Sequence, residues 1–453
     1  MVRTEINTEN TIFVVLSFEG PDVYSQAGGL GVRITNLSQT LAKEGFETHL
    51  FFIGDPHLAG EEISCGGRMN LHRWCQWISQ YHPAGVYQGE EGKLNDYNKS
   101  IPPYLLEHII RPAIEQDKLV VILAEEWHTA EVVCRIAKLL TQENLRDRAV
   151  IFWNANNVFG FERIDFKALN KACTLTTVSR YMKHIMWRMG LNPLVIHNGI
   201  PKNLLNRVDP ELSSRLRRSL QSDLVLAKIA RWDPDKRWNM AVEAAARLKA
   251  RGFKTTLIAR GGMESYGDEI LGRARWLGLK VKDISAKCEN IEDYLRAIAD
   301  NCEGAEVLNL KFHCTQDFLR LIYHASDAVL ANSGREPFGL VGLEAMAAGG
   351  VAFTGSTGED YAISFDNSIV LDTSDPEEIE SYVVHLHNHR EEEERIRKAA
   401  RDTAGRFTWE QIVENLVQRL EYQAKVQGAI INPESDLKLS FFAQAAAKHR
   451  VNI

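Results

Sequence analysis

The sequence predicts an α/β protein made of two doubly wound parallel-sheet domains. Three observations support this prediction: the chain has 453 residues, strand-like and helix-like segments alternate along it, and the alternation pauses near residue 200 before it restarts near residue 224. Single hydrophobic cores stop growing at roughly 250 to 300 residues, so this length favours two domains. We therefore expect domains over 1–200 and 201–425, followed by a tail over 426–453.

The first domain is predicted to begin with a buried strand. Residues 11–18 (TIFVVLSF) form an apolar, β-branched run, which is typical of a strand covered on both faces of a parallel sheet. A glycine turn at 28–31, an amphipathic helix over 32–44 and a strand over 48–53 follow. The alternation continues with helical segments over 105–116, 130–140 and 179–189, and with strands over 119–123, 149–153, 174–178 and 193–196. This order indicates a Rossmann-like domain.

One segment of the first domain departs from this alternation. Residues 57–102 show no clean period and contain Trp74, Trp77, Tyr81, Tyr87 and Tyr97. The segment is longer than a plain connection between elements. Two interpretations stay open: a lobe beside an acceptor site, or an inserted hairpin or helix with a local core.

The second domain repeats the alternation. Its predicted strands are 224–230, 254–259, 307–310, 328–331 and 351–354, and its predicted helices are 240–251, 269–277, 315–324 and 340–348. Two long helical segments, 376–401 and 409–426, come next, and residues 435–449 have apolar faces of their own. The pattern indicates a second Rossmann-like domain and a helical tail.

Composition and charge narrow the class of protein. Hydrophobic residues make up 45% of the chain and charged residues 25%, and the net charge is -7. Such a chain is globular and is not built to coat nucleic acid or anionic lipid. The seven cysteines are scattered without a Cys-x-x-Cys pair, and no signal peptide or membrane-length apolar run is evident. We expect a cytoplasmic protein without integral membrane association.

The most informative motif lies between the predicted strand 328–331 and helix 340–348. Glu336 precedes this helix, Glu344 lies inside it, and Gly339 stands at its entrance. Free amides and the positive end of the helix dipole make such an entrance an anion site. A diphosphate docked there would leave Glu344 to accept ribose hydroxyls and Glu336 to reach a sugar. The alternative is an ordinary capped helix with solvent-facing acids.

A basic cluster follows the first strand of the second domain. Arg231 and Lys236 lie in the stretch ARWDPDKR. Ligands of doubly wound sheets bind at the carboxyl ends of the strands, so these cations are expected at the same crevice as the helix entrance. Either they neutralise a diphosphate, or the stretch is a charged surface turn.

Two weaker motifs lie in the first domain. The turn Gly28–Gly31 lets backbone amides approach a ligand, but it is neither a Gly-x-Gly-x-x-Gly nor a Walker sequence, which argues against a nicotinamide dehydrogenase and a nucleoside triphosphatase. In the stretch EEWHT, Trp127 offers a flat face for a sugar and His128 a polar tip. A structural histidine is the alternative.

Together these motifs resemble those of a known family. Glu336-x7-Glu344 in EPFGLVGLEAMAAGG, with Arg231, Lys236, GGLG, EEWHT and IHNGIP, resembles the retaining nucleotide-sugar glycosyltransferases of family 4, such as bacterial glycogen synthases and sucrose-phosphate synthases. The resemblance covers nearly the whole chain. It implies the glycosyltransferase B fold, in which two Rossmann-like domains face a cleft and bind the donor mainly in the second domain. It also implies that the tail packs back on the first domain.

The resemblance also assigns roles to residues. Arg231 and Lys236 clamp the diphosphate, Glu344 accepts ribose bonds, and Glu336 lies beside the donor sugar; we take Arg231, Lys236 and Glu336 as catalytic. The remaining assignments are Phe338, Gly339, Leu340, Gly29 and Leu30 for the donor, and Gly28, Gly31, Trp127, His128, Asn154 and Asn156 for the acceptor or sugar. A hexosyl group is transferred with retained configuration, and no metal or other cofactor is required.

One departure from the family pattern concerns the acceptor. Glycogen synthases have a histidine where this chain has Asn154 in FWNANN. Asparagine holds a sugar hydroxyl but does not titrate, so either the role is only orienting or the acceptor differs; His128 is a candidate substitute.

The leading hypothesis is therefore transfer, with glucosyl as the favoured group, from a nucleoside diphosphate sugar to a soluble sugar, glucan or sugar phosphate. The alternatives are a lipid-linked acceptor, a non-catalytic sugar-nucleotide-binding protein and a sugar epimerase. Residues 1–200 contain 19 Lys and Arg against 22 Asp and Glu, which favours a soluble acceptor over a lipid-linked one. The nucleotide base, sugar epimer, acceptor and oligomeric state stay open.

Overall fold

The computed structural model describes residues 5–430, which form two compact units. Of these residues, 5–178, 182–196 and 409–430 belong to unit 1, and 179–181 and 197–408 belong to unit 2. The main change of unit, between residues 196 and 197, lies close to the predicted boundary at 200. Within the described part of the chain, no helix is long and apolar enough to span a bilayer.

Unit 1 contains an eight-stranded sheet in the order β3-β4-β2-β1-β5-β6-β7-β8. Its strands are β1 Thr11–Leu16, β2 Glu47–Ile53, β3 Glu61–Ser64, β4 Met69–Trp74, β5 Leu119–Glu125, β6 Ala149–Ala155, β7 Thr174–Thr177 and β8 Leu194–Val195. Neighbouring strands are parallel, except for the antiparallel pair β3 and β4. Every residue of β1 and β5 is buried, as the apolar runs predict for central strands.

The helices that connect these strands are α1 Gly29–Lys43, α2 Gln76–Ser79, α3 Glu90–Leu105, α4 Arg111–Glu115, α5 Ala130–Gln142, α6 Phe166–Ala172 and α7 Arg180–Arg188. A π-helical turn, Leu106–Ile110, joins α3 to α4. The irregular segment 57–102 forms the hairpin β3-β4 and the helices α2 and α3. It therefore extends the sheet as an inserted hairpin with helices, as the second interpretation predicted, but its buried Tyr97 contacts Phe18 and the carbonyl of Phe51 in β2 and so joins the main core of unit 1.

Unit 2 contains a seven-stranded parallel sheet in the order β11-β12-β10-β9-β13-β14-β15. Its strands are β9 Leu224–Ile229, β10 Thr255–Arg260, β11 Val281–Ile284, β12 Val307–Leu310, β13 Ala328–Ala331, β14 Ala352–Thr354 and β15 Ile369–Val370. Its helices are α8 Pro210–Leu220, α9 Trp238–Ala250, α10 Tyr266–Trp276, α11 Ile291–Ala299, α12 Gln316–Ala325, α13 Leu340–Ala347, α14 Pro376–Asn388 and α15 Arg390–Ala404.

Two hydrophobic clusters show that the sheet of unit 2 is covered on both faces. One cluster combines strand residues with α9, α10 and α14, and the other combines them with α8, α11 and α12. This arrangement is the doubly wound architecture that the alternation predicted.

The last described helix, α16 Trp409–Val426, belongs to unit 1, where it packs against α1. The prediction that the second domain extends to residue 425 is therefore wrong. The buried side chains of Trp409, Ile412 and Leu416 account for the difference, because they add to the core of unit 1 and Arg33 of α1 lies 5.6 Å from the Trp409 ring. Most of the predicted tail, residues 431–453, lies outside the described residues.

Candidate functional site

Two loops meet at the carboxyl end of the sheet in unit 2. One follows β9, the other follows β13, and these strands are neighbours. Lys236 Nζ lies 2.8 Å from Glu336 Oε2 and 3.2 Å from Ser333 Oγ. The amide of Gly334 donates to the carbonyl of Asp235 at 2.7 Å, which joins the two loops. The basic cluster and the acidic motif that the sequence singled out therefore lie together.

Arg231 is held at the start of the first of these loops. Its carbonyl accepts a hydrogen bond of 2.8 Å from Trp238 Nε1, and Trp238 is fully buried. The Arg231 side chain is exposed and makes no ion pair with residues 5–430. Its guanidinium is thus available to an anion, whereas Lys236 is paired with Glu336.

Helix α13 begins in the second loop, at Gly339. This glycine has φ +79°, and a Cβ added to it would lie 2.8 Å from Glu359 Cγ. The first intrahelical bond of the helix is donated by Leu343 to the Gly339 carbonyl. Within the described chain, the amides of Leu340 and Val341 have no acceptor, so the helix presents free donors and a positive dipole end. Val341 was not among the predicted donor-binding residues.

The buried side chain of Phe338 packs beneath the backbone at the start of α13, next to Tyr361. The Phe338 ring lies 5.7 Å from that of Tyr361. The Tyr361 hydroxyl donates to the carbonyl of Gly339. These contacts fix the backbone that carries the free amides, so Phe338 contributes through packing; a role for its own amide stays a prediction.

Glu344 lies one turn into α13. It is half-buried, and burial raises its pKa to about 7 against an opposing hydrogen bond from Gln316. A carboxylate with little solvent around it gains from hydroxyl donors, which is the property expected of a ribose acceptor.

The sequence analysis missed Glu359, in the loop that follows β14. This buried carboxylate accepts from the Thr357 amide at 3.1 Å, and its other oxygen has no partner among the described residues. Burial raises its pKa to about 7, and the charge of Glu336 adds to the effect. An acid just after a parallel strand was the available signal, since β14 is the neighbour of β13.

The sequence analysis also missed Lys228, inside the apolar strand β9. It is fully buried, and its Nζ donates to Asn332 Oδ1 at 2.6 Å and to the Leu330 carbonyl at 3.0 Å. Burial lowers its pKa to about 7, and the charges of Lys236 and Arg237 lower it further. Lys228 thereby connects β9 to the loop that carries Ser333 and Glu336. A lysine within the run LVLAKI was the signal.

In unit 1, the glycine turn at the start of α1 is occupied by a carboxylate of the protein itself. Glu19 Oε2 accepts from the amides of Gly28 and Gly31, both at 3.0 Å, and from that of Ala27 at 3.2 Å. The Tyr87 hydroxyl donates to the other oxygen of Glu19 at 2.5 Å. Of the four predicted residues in this turn, only Gly29 and Leu30 keep amides without an acceptor among residues 5–430.

Trp127 and His128 are both buried in unit 1. The Trp127 ring lies 3.8 Å from that of His128 and 3.9 Å from the Arg163 guanidinium, so the expected flat face is not open to a sugar in this structure. His128 Nε2 contacts Glu90 Oε1 at 2.8 Å, and its ring stacks on Phe18. Burial lowers the pKa of His128 to about 4. The structural interpretation of this histidine fits these contacts.

Asn154 and Asn156 belong to a buried polar network. The amide nitrogens of both donate to Glu125 Oε2 at 2.8 Å, and Glu125 pairs with the buried Arg33 at 3.1 Å. The neighbouring Glu126 has φ +67°, and burial raises its pKa to about 8. A strained, buried carboxylate of this kind often lies at a functional site. Asn154 therefore belongs to a hydrogen-bond network with Glu125 and Arg33.

Comparisons with known proteins find similarity to glycosyltransferases. Residues 215–403 match the family model described as glycosyl transferases group 1. A D-inositol 3-phosphate glycosyltransferase from Actinosynnema mirum is 32% identical over 167 residues, which cover 34% of this chain and 33% of that protein. The match thus spans about a third of the length of this curated relative.

Solved structures match over most of the chain. Sucrose-phosphate synthase from Thermosynechococcus elongatus is similar with a TM-score of 0.65 and 16% identity, covering 91% of this chain and 99% of that one. The catalytic domain of starch synthase IV from Arabidopsis thaliana, bound to ADP and acarbose, has a TM-score of 0.65 and 15% identity, with 92% and 99% covered. Anabaena Alr3699/HepE in complex with UDP has a TM-score of 0.60 and 14% identity, with 91% and 100% covered.

These similarities and the two parallel-sheet units show that the chain has the glycosyltransferase B fold. The part that matches group 1 glycosyltransferases contains Arg231, Lys236, Glu336 and Glu344, so it includes the whole candidate site of unit 2.

Proposed function

We propose that the protein is a retaining hexosyltransferase of family 4 that binds a nucleoside diphosphate sugar in unit 2. The observation that carries the proposal is the contact between Lys236 and Glu336, next to Gly339 and the free amides of α13, with Arg231 at the start of the loop that carries Lys236. Two cations and a helix N-terminus together match the charge and geometry of a diphosphate. Structures of the same fold in complex with UDP, or with ADP and acarbose, support a nucleoside diphosphate as the ligand.

We assign a residue of unit 2 to each part of the nucleotide sugar: the diphosphate, the ribose and the transferred sugar. Arg231 and Lys236 neutralise the diphosphate, and the Leu340 amide donates to it at the positive end of the helix dipole. Glu344 accepts bonds from the ribose hydroxyls, deeper in the same helix. Glu336 releases Lys236 to the diphosphate and contacts the donor sugar. Arg231, Lys236 and the Leu340 amide stabilise the negative charge that develops on the leaving phosphate.

The proposed reaction keeps the anomeric configuration. The bond between the anomeric carbon and the diphosphate oxygen breaks, and a bond from that carbon to the acceptor oxygen forms on the same face. The acceptor's hydroxyl proton passes to the departing phosphate. The cations and amides of unit 2 supply the electrostatic stabilisation, so the proposal includes no metal ion and no other cofactor.

For the acceptor, we propose a soluble sugar, glucan or sugar phosphate that binds in unit 1, with glucosyl as the transferred group. The hydrogen-bond network around Asn154 and Asn156 supports a polar ligand there. Names among the similar structures include sucrose-phosphate synthase, starch synthase and a UDP-forming trehalose-phosphate synthase, all of which refer to carbohydrate products.

A turnover assay tests the proposal. Nucleoside diphosphate release is measured with UDP-, ADP- and GDP-glucose against a panel of sugars, glucans and sugar phosphates. Removing a donor to transition-state charge lowers kcat by about 100-fold or more, so we expect Lys236→Met to lose at least that much. The control is Lys287→Met, which removes an exposed lysine of unit 2 that is likewise paired with a glutamate. Equal turnover by Lys236→Met and the control would contradict the proposal.

A further inference from the structure

Unit 2 contains a charged cavity at the end of its sheet opposite to the candidate site. Its volume is about 530 Å³, and its charged or titratable lining residues are Arg207, His324, Arg397, Lys398, Arg401 and Asp402. His324 lies at the end of α12, before β13 begins, and Gly349 follows α13, before β14 begins. The cavity therefore lies at the amino ends of these strands, whereas Lys236 and Glu336 lie beyond the carboxyl ends of β9 and β13.

Two arginines that line this cavity are held in place by hydrogen bonds to backbone carbonyls. Arg397 donates to the carbonyls of Gly349 at 2.8 Å and Ser326 at 2.7 Å, and it pairs with Glu393 at 2.8 Å. Arg401 donates to the Ala347 carbonyl at 3.0 Å. These bonds satisfy carbonyls at the ends of α12 and α13 and hold both guanidinium groups in place. Arg397 has a carboxylate partner, so its charge is already balanced.

The other cations of the cavity are not balanced. The side chains of Arg207 and Lys398 are exposed and make no hydrogen bond or ion pair with residues 5–430, and Arg401 pairs with no carboxylate there. Burial and then the charges of Arg207 and Arg320 lower the pKa of Arg401. The facing acid is Asp402. Three cations against one carboxylate leave two positive charges uncompensated at this cavity.

His324 completes the set of groups that face the cavity. Its Nδ1 contacts Ser213 Oγ at 2.8 Å, which leaves the other ring nitrogen for a further partner. Burial lowers its pKa, and so do the charges of Arg397 and Arg401. The neutral ring can still donate one hydrogen bond to an anion. A cavity of this volume is in the range that small ligands occupy, roughly 300–1,000 Å³.

We propose that this cavity binds a phosphate-bearing small molecule, either a phosphate monoester or free phosphate. A phosphate group carries about two negative charges near pH 7, which matches the uncompensated charge of Arg207, Lys398 and Arg401 against Asp402. Arginine and lysine are the side chains that bind phosphate best. The volume favours a phosphate ester over the free ion. The proposal does not depend on the proposed function, because no residue is shared between the two sites.

Calorimetric titration with inorganic phosphate and with ribose 5-phosphate tests the proposal. Ribose and sodium chloride at equal ionic strength serve as ligand controls. The variant Arg207→Ala/Lys398→Ala removes two exposed cations of the cavity, and the control Lys282→Ala/Lys287→Ala removes two exposed cations elsewhere in unit 2. We expect the first variant to weaken phosphate binding at least tenfold and the control to bind like the wild type.

The variant Lys236→Met separates this site from the donor site. We expect it to keep the response to phosphate, whatever happens to its turnover. Tighter binding of ribose 5-phosphate than of inorganic phosphate identifies an ester as the ligand, and equal binding identifies the free ion. A wild type that responds to phosphate no more than to chloride, or a cavity variant that binds as tightly as its control, would overturn the proposal.

Discussion

Donor binding should depend on pH through Glu344. Burial raises the pKa of this carboxyl to about 7, so roughly a tenth of the protein is ionised there near pH 6 and roughly nine-tenths near pH 8. In the proposed donor site the ribose hydroxyls donate to this carboxylate, so only its ionised form should bind the nucleotide fully. Apparent affinity scales with the competent fraction, and we therefore expect it to fall about tenfold from pH 8 to pH 6.

The variant Glu344→Gln isolates this effect. It keeps the shape of the side chain and removes the titration, so its affinity near pH 8 should be weaker than that of the wild type and its decline towards pH 6 should be absent. Other titrating groups, including Lys228 and the nucleotide phosphate, contribute equally to both proteins. Lys228 acts in the opposite direction, since it gains charge as the pH falls.

Isothermal titration with a nucleoside diphosphate at several pH values measures both proteins. A nucleotide that lacks the ribose hydroxyls provides the control, because the difference between the wild type and Glu344→Gln should then disappear. If both proteins lose affinity in parallel as the pH falls, Glu344 does not accept the ribose and the assignment is incorrect.

Three further predictions concern stability. Lys228 stays unprotonated in the folded state above about pH 7, but in the unfolded chain it binds a proton up to its ordinary pKa of 10.5. The free energy of unfolding therefore rises with pH in this window, by up to about 1.4 kcal/mol per pH unit. Urea denaturation of Lys228→Met at several pH values should show a flatter rise, and identical slopes in the two proteins would contradict the lowered pKa of Lys228. Gly339→Ala should lower the free energy of unfolding by about 1–2 kcal/mol, because φ is +79° and Glu359 must move; Gly304→Ala, at a left-handed glycine with open space around it, should cost less in the same measurement. Glu19→Ala should cost about 1–3 kcal/mol, because the buried amide of Gly31 and the Tyr87 hydroxyl lose their acceptor; unchanged stability in urea denaturation would argue against that role.

The elements that the sequence predicted well are those with strong local patterns. The runs that become β1 and β13 are apolar and bounded by turns, and the motif from Glu336 to Glu344 has a glycine at the helix entrance. The doubly wound sheets then place the carboxyl ends of adjacent strands together, which is why the contact between Lys236 and Glu336 could be anticipated.

Elements without such patterns escaped prediction. β11 (VKDI) is an edge strand with two exposed charged residues, so it lacks the apolar run of a central strand. The single helix expected over 376–401 is divided at His389, where ψ is 66°. No proline or glycine marks this break in the sequence, so the pattern did not indicate it. The unit to which α16 belongs depends on tertiary packing, which the periodicity of the helix does not reveal.

The least predictable features of the sites are the partners of buried charges. The sequence identified the Gly28–Gly31 turn as a ligand site, but not that Glu19 accepts two of its amides. It identified Asn154 as unusual, but not its bond to Glu125. Such pairings join residues that are distant in the chain, so spacing and composition carry no signal for them.

The most direct test of the account is the binding of nucleoside diphosphates to unit 2. Calorimetric titration of the wild type, Lys236→Met and the control Lys287→Met with ADP, UDP and GDP compares the site with a matched exposed ion pair. We expect at least one nucleotide to bind the wild type and the control equally, and Lys236→Met to bind it at least about tenfold more weakly, since a charge-assisted contact contributes about 1.5–3 kcal/mol. Binding that is unchanged in Lys236→Met, or a wild type that binds none of the three nucleotides, would contradict the assignment of the donor site.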